Sequence, residues 1–156
     1  MLELNIPGQK KLLLEHLILD FNGTLALDGL IIPGVFERLE KLTRTLRVHI
    51  LTADTHGNVH KQLTGKDYTI HVLESSAQDK GKLNYIQNLG EKKCVCMGNG
   101  VNDSLMLEQA GLSIAVLQEE GAAIQAIMAA QVVVRNILDG LDLLIHPLRL
   151  VATLRR

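Results

Sequence analysis

Short apolar runs alternate along this chain with stretches whose apolar residues recur every three or four positions, a pattern that predicts strand after helix after strand. The clearest run, Leu17-Ile18-Leu19, carries no charge until Asp20 and is broken at once by Asn22-Gly23-Thr24. It reads as a buried strand that delivers an acidic side chain to its carboxyl end. Ahead of it, residues 2–6 alternate weakly, Pro7-Gly8 supplies a turn and Leu12-Leu13-Leu14 resumes, which predicts a short strand or hairpin. Behind it, residues 26–32 are about the length of a small flap. Pro33 then opens a helix to about residue 46, with Val35, Leu39, Leu42 and Leu46 as its buried stripe.

Further strands are predicted over 47–52, 68–73, 94–97, 112–116 and 132–134, and helices over 55–63, 79–89, 104–110, 120–130, 137–144 and 148–154. Asp54 or Thr55 would cap the first of these helices and Asp79 the second, while Pro147 separates the last two. Strands alternating with helices demand a parallel sheet with right-handed crossovers, hence a doubly wound α/β sheet in a three-layer sandwich. At 156 residues the chain suits one domain, 1–156, with one sizeable core and no internal repeat, linker or low-complexity tract.

Composition narrows the classes. With 47% hydrophobic and 21% charged residues the chain is neither disordered nor membrane-like, and a formal net charge of −1 argues against a nucleic-acid surface. Nothing approaches the roughly 18 apolar residues of a membrane span, and the first ten residues lack a signal-peptide pattern, so a cytoplasmic protein is expected. Cys94 and Cys96 fall two apart on one strand and share a face, which favours buried reduced thiols over a metal knuckle or disulfide. His56 and His60 stand at a metal-compatible i, i+4 spacing, yet no third ligand lies near them in sequence, so a solvated helix face is the better account.

Open α/β sheets take ligands at the carboxyl edge of their strands. A carboxylate there, followed by a turn containing glycine, can face a phosphate from one side while backbone N–H groups face it from the other. A second turn, Gly98-Asn99-Gly100-Val101-Asn102-Asp103, follows the strand over 94–97, and its glycines permit a tight passage into the next helix. Together with Ala110-Gly111-Leu112-Ser113-Ile114-Ala115-Val116, these stretches resemble the haloacid dehalogenase-like phosphohydrolase superfamily. Within it they are similar to the catalytic domain of P-type ATPases and their small soluble relatives, in matching order from about residue 17 to 135.

That resemblance implies a Mg²⁺-dependent phosphohydrolase in which Asp20 is the nucleophile and becomes an aspartyl-phosphate. Asn22 stands where phosphatases carry a general acid/base Asp and ion pumps carry Thr, and its backbone carbonyl would help hold the metal. Thr52, with Ala53 beside it, would bind the phosphoryl group, as would Lys80 and Asn102; Lys82 competes with Lys80 for that role. Asn99 and Asp103 would complete the metal set with Asp20 and Asn22. An amide oxygen can ligate a hard cation without adding charge, so Asn99 should weaken the metal site without abolishing it. Asn22 cannot accept a proton at neutral pH, and losing a general base forfeits roughly 10²–10⁴-fold, so hydrolysis should be slow.

Neither gap where this superfamily inserts a cap domain has room for one, which leaves the substrate unnamed beyond its phosphate. The implied partner is a large phosphorylated molecule, or a second copy of the chain covering the open site through the apolar flap at 27–32 or the late helices. An intact pump is not expected, because this sequence has neither membrane segments nor room for a nucleotide-binding domain. The rival expectation is a regulatory or binding module that kept the fold and lost the chemistry, and a weaker third is a phosphotransferase.

Overall fold

Five consecutive residues, His16 to Asp20, are buried, as a strand flanked on both faces must be. They form β3 (His16–Asp20) of a computed structural model that describes residues 1–53, 58–74 and 76–156. β3 lies inside a six-stranded sheet with β6 (Arg47–Thr52), β7 (Thr69–Val72), β8 (Cys94–Gly98), β9 (Leu112–Val116) and β10 (Val132–Val134). All pairings are parallel and the order is β10-β9-β8-β3-β6-β7. The chain therefore runs outward from β3 to β7, returns to β8 on the other flank of β3, and runs outward again. The reversal between β3 and β8 is a topological switch point, where open α/β sheets leave a crevice at the carboxyl ends.

Alternation of side chains along β3 feeds two cores. Leu17 and Leu19 pack with α1 (Val35–Leu42), α6 (Ile137–Ile145) and α7 (Pro147–Leu154) through Leu39, Leu141 and Leu150. Ile18 faces the other way, toward Ile86 of α3 (Gln78–Leu89), Leu107 of α4 (Ser104–Gln109) and Ala126 of α5 (Ile124–Ala129). Each fully buried leucine contributes roughly 1.5–3 kcal/mol relative to an exposed one, so both faces hold β3 in register. Cys94 and Cys96 lie in the second core as buried unpaired thiols, and burial pushes the Cys94 thiol up to about 12.

The doubly wound α/β sandwich expected from the periodicity is the architecture observed, with no cap domain among the described residues: the flap is a hairpin of β4 (Ala26–Leu27) and β5 (Leu30–Ile31). β1 (Leu2–Leu4) and β2 (Leu12–Leu14) pair antiparallel as an N-terminal hairpin, one of the two forms expected there. Several helices are shorter than their apolar pattern. α1 stops at Leu42, though Leu46 is still buried, and it starts after Gly34 at φ 92. α5 begins at Ile124, because Gly121 at φ 74 turns the preceding residues away from the helix. Asp79 lies inside the first turn of α3, not at its cap, which is Ala77 at φ 57. His60 is exposed on α2 (Asn58–Leu63), while Asp54, Thr55 and His56 lie outside the described residues. Among the described residues no helix is long and apolar enough to cross a membrane.

Candidate active site

β3 ends at Asp20, which pairs in register with Leu51, so Thr52 is the next residue at the carboxyl end of the neighbouring β6. On the other flank Leu19 pairs with Met97, and β8 runs out through Gly98 into the amide-rich turn. The turns after β3 and β8 touch. A Cβ added at Gly23, whose φ is 76, would lie 2.4 Å from Nδ2 of Asn99, so both backbone angle and space require glycine there.

At the floor of this crevice Lys82 of α3 places Nζ 2.6 Å from Oδ1 of Asp20 and 2.6 Å from Oδ1 of Asp103. The Lys82 side chain is 1% exposed. The second oxygen of Asp103 accepts the backbone N–H groups of Asn99, at 3.0 Å, and Gly100, at 2.8 Å, which folds the turn over its own carboxylate. Burial, then the charge of Asp103, pushes the Asp20 carboxyl up to about 7 against the pull of the ammonium. Burial works against the Lys82 ammonium as well, but two carboxylates outweigh it and hold its pKa above the ordinary lysine value.

Thr24 is fully buried; its hydroxyl donates to Oδ1 of Asn99 at 3.3 Å and helps to draw the Asp20 carboxyl pKa down. Asn99 donates Nδ2 to the carbonyl of Gly121 at 3.0 Å, which fixes its amide so that the oxygen faces the Thr24 hydroxyl. A carboxylate and an amide oxygen thus flank one hydroxyl. Oxygen donors of this kind, with the backbone carbonyl of Asn22 on the adjoining turn, suit a hard divalent cation that keeps several waters. Among the described residues, however, no three His, Cys, Asp or Glu side chains are grouped so as to hold a metal.

The other residues singled out in the sequence fall in different places. Thr52 is buried at the end of β6 with Ala53 half-buried after it. Asn102 is half-buried, donating to Oε1 of Gln78 at 2.8 Å. The Asn22 side chain is exposed. Lys80 is corrected: it is exposed and lines a cavity of about 410 Å³ with His71, Ser76 and Asn84, and the ammonium that meets Asp20 belongs to Lys82. The two lysines differ by two positions, about 200° around a helix, so only one can face the sheet.

Sequence reasoning missed the loop 117–123, which it gave in part to a helix. Gln118 donates Nε2 to the carbonyls of Gly23, at 2.8 Å, and Thr24, at 3.0 Å, while the Ala123 N–H donates to the Asn99 carbonyl at 2.8 Å. The loop is bonded to both site turns. The available signal was the polar Gln118-Glu119-Glu120-Gly121 run straight after a buried strand.

Three comparisons bear on this arrangement. No family model matches the chain. Over 64 residues it is 47% identical to an uncharacterised protein of Methanocaldococcus jannaschii, covering 41% of this chain and 69% of that one. Among solved structures, a putative HAD superfamily (subfamily III A) hydrolase from Legionella pneumophila aligns with a TM-score of 0.72 at 18% identity, over 90% of this chain and 87% of that one. A 3-deoxy-D-manno-octulosonate 8-phosphate phosphatase from Moraxella catarrhalis, in complex with magnesium ion, phosphate ion and its KDO molecule, aligns with a TM-score of 0.67 at 15% identity. That alignment covers 85% of this chain and 86% of the phosphatase.

Proposed function

We propose that this chain, which belongs to one family with the M. jannaschii protein and has the haloacid dehalogenase-like fold, is a slow phosphohydrolase acting through Asp20. The observation that carries the reading is the acidic side chain at the switch-point edge, held 2.6 Å from a buried ammonium and beside the Asn99 turn. Phosphoryl transfer needs a nucleophile, donors for the equatorial oxygens and compensating charge, and little else from the protein.

In the reaction an oxygen of Asp20 forms a bond to phosphorus as the bond from phosphorus to the leaving oxygen breaks. The leaving oxygen takes a proton from solvent, since Asn22 has none to give. Water then attacks the aspartyl-phosphate, the acyl phosphate bond breaks at phosphorus, and inorganic phosphate leaves with Asp20 restored. Lys82 pulls the attacking carboxyl toward its anionic form and offsets charge on the phosphoryl group. Thr52, the Ala53 backbone and Asn102 lie on segments that border the crevice and would donate to the equatorial oxygens. Mg²⁺, which the Moraxella enzyme carries, would be held by Asp20, the Asn22 carbonyl and Asn99 with Asp103 behind them, and would supply positive charge to the transferring group. The neutral amides at 22 and 99 favour a second reading, a phosphate-binding module without turnover.

Hydrolysis of p-nitrophenyl phosphate with and without Mg²⁺ tests the pair. Mg²⁺-dependent release of nitrophenol that Asp20→Asn abolishes is the expected result. No turnover together with no beryllofluoride binding would remove the enzyme reading.

A further inference from the structure

Gln118 occupies a backbone conformation that side-chain-bearing residues rarely adopt, with φ 103, one of three non-glycine residues at positive φ among those described. A glycine would meet that angle without strain, so the side chain must return something for it. What it returns is a set of three bonds. Nε2 donates to the carbonyls of Gly23 at 2.8 Å and Thr24 at 3.0 Å, and Oε1 accepts the N–H of Ile137 at 2.9 Å. Two acceptors on one side and a donor on the other leave only one orientation of the amide. Ile137 opens α6, which packs along α1, so the anchor is a helix held in the main core.

The same two peptide units are held from their other edge. The Thr24 N–H, part of the Gly23 carbonyl's peptide, points at the Phe21 carbonyl at 3.3 Å, and the Leu25 N–H, part of the Thr24 carbonyl's peptide, points at that carbonyl at 2.9 Å. Two consecutive peptide planes are thus fixed at both edges. Between them sits the Thr24 side chain, whose hydroxyl donates to Oδ1 of Asn99 at 3.3 Å and acts on the Asp20 carboxyl beside it. We propose that Gln118 is a positioning residue: it pins the turn carrying Thr24, and through that hydroxyl sets the Asp20 carboxylate and the Asn99 oxygen in mutual register for phosphoryl transfer. The inference rests on the phosphohydrolase reading for its consequence but not for the clamp itself.

Two full-length variants test it. Gln118→Gly removes the bonds and relieves the backbone. Gln118→Glu keeps the length and the acceptor for Ile137 while setting a carboxylate oxygen against two carbonyls. Misplacing a reacting group by about 1 Å can cost about 10²-fold. In both variants kcat for p-nitrophenyl phosphate should fall about 10–100-fold with KM changed less than about threefold, as expected when an interaction made in the transition state is lost. Amide hydrogen exchange at Thr24 and Leu25 should quicken at least about tenfold, while amides of β8 and β9 keep their protection. Unchanged exchange at Thr24 and Leu25 in Gln118→Gly would overturn the proposal, as would equal quickening in β8 and β9, which marks general loosening. If the unaltered protein neither hydrolyses the ester nor binds beryllofluoride, the phosphohydrolase reading has failed, and exchange at Thr24 and Leu25 still decides the clamp.

Discussion

Replacing Lys82 by Met probes the charge balance of the site most directly. The ammonium is buried between two carboxylate oxygens, each 2.6 Å away, so those oxygens are at most about 5 Å apart. With the ammonium gone and both acids ionised, their repulsion at an effective dielectric of about 20 is roughly 3 kcal/mol. Breaking a buried ion pair from one side typically costs about 3–5 kcal/mol, and Asp103, with no exposed surface, has no route to water. One escape exists. Burial already pushes the Asp20 carboxyl up to about 7 with the ammonium in place, and in the variant it should rise further and keep its proton at mildly acidic pH. A carboxyl whose folded pKa lies above its unfolded value contributes stability that is full below the unfolded pKa and is lost as pH rises through the folded pKa. The variant should therefore lose about 3–5 kcal/mol at pH 8 and clearly less at pH 5. Urea unfolding at the two pH values measures this, with Lys80→Met as a control expected within about 0.5 kcal/mol of the unaltered protein because its side chain is exposed. Equal stability of Lys82→Met and the unaltered protein at pH 8 would refute the account, as would a larger loss in Lys80→Met.

Three further outcomes follow from the same geometry. Asn22→Asp should speed turnover of the phosphoenzyme by about 10²–10⁴-fold and Asn99→Asp should tighten Mg²⁺, both readable in single-turnover assays; no gain from either would show that the amides are not what limits the rate. Gly23→Ala must place a methyl at φ 76 and 2.4 Å from the Asn99 amide, which should cost about 2–4 kcal/mol in a denaturant titration. His49 is buried between Nδ1 of His16, at 3.0 Å, and the Tyr85 hydroxyl, at 2.9 Å; burial, then His16, lowers its pKa to about 4. The unfolded chain protonates His49 near 6.5, so its contribution is present above that pH and is lost on descending toward 4, by no more than about 3 kcal/mol. Asp20 works with the opposite sign over much of that window. The stability difference between the unaltered protein and His49→Leu, followed from pH 7 to 4.5, isolates the histidine.

Periodicity and punctuation, read locally, determined the order of strands and helices, the parallel sheet they require, and the placement of Asp20 and of the 98–103 turn at strand ends. These features depend on which residues lie within a few positions of one another, and burial on both faces of β3 left its run no alternative. Tertiary structure alone decided what meets what. Whether Lys80 or Lys82 reached the carboxylates turned on where α3 begins, because the helix starts at Gln78 and its phase follows from packing against the sheet. The clamp at Gln118 could not be read from its neighbours in sequence, since it joins residues 95 and 94 positions away to a helix that follows it. A hydrogen bond across that separation forms only after the sheet order has brought the turn after β3 and the loop after β9 to the same edge.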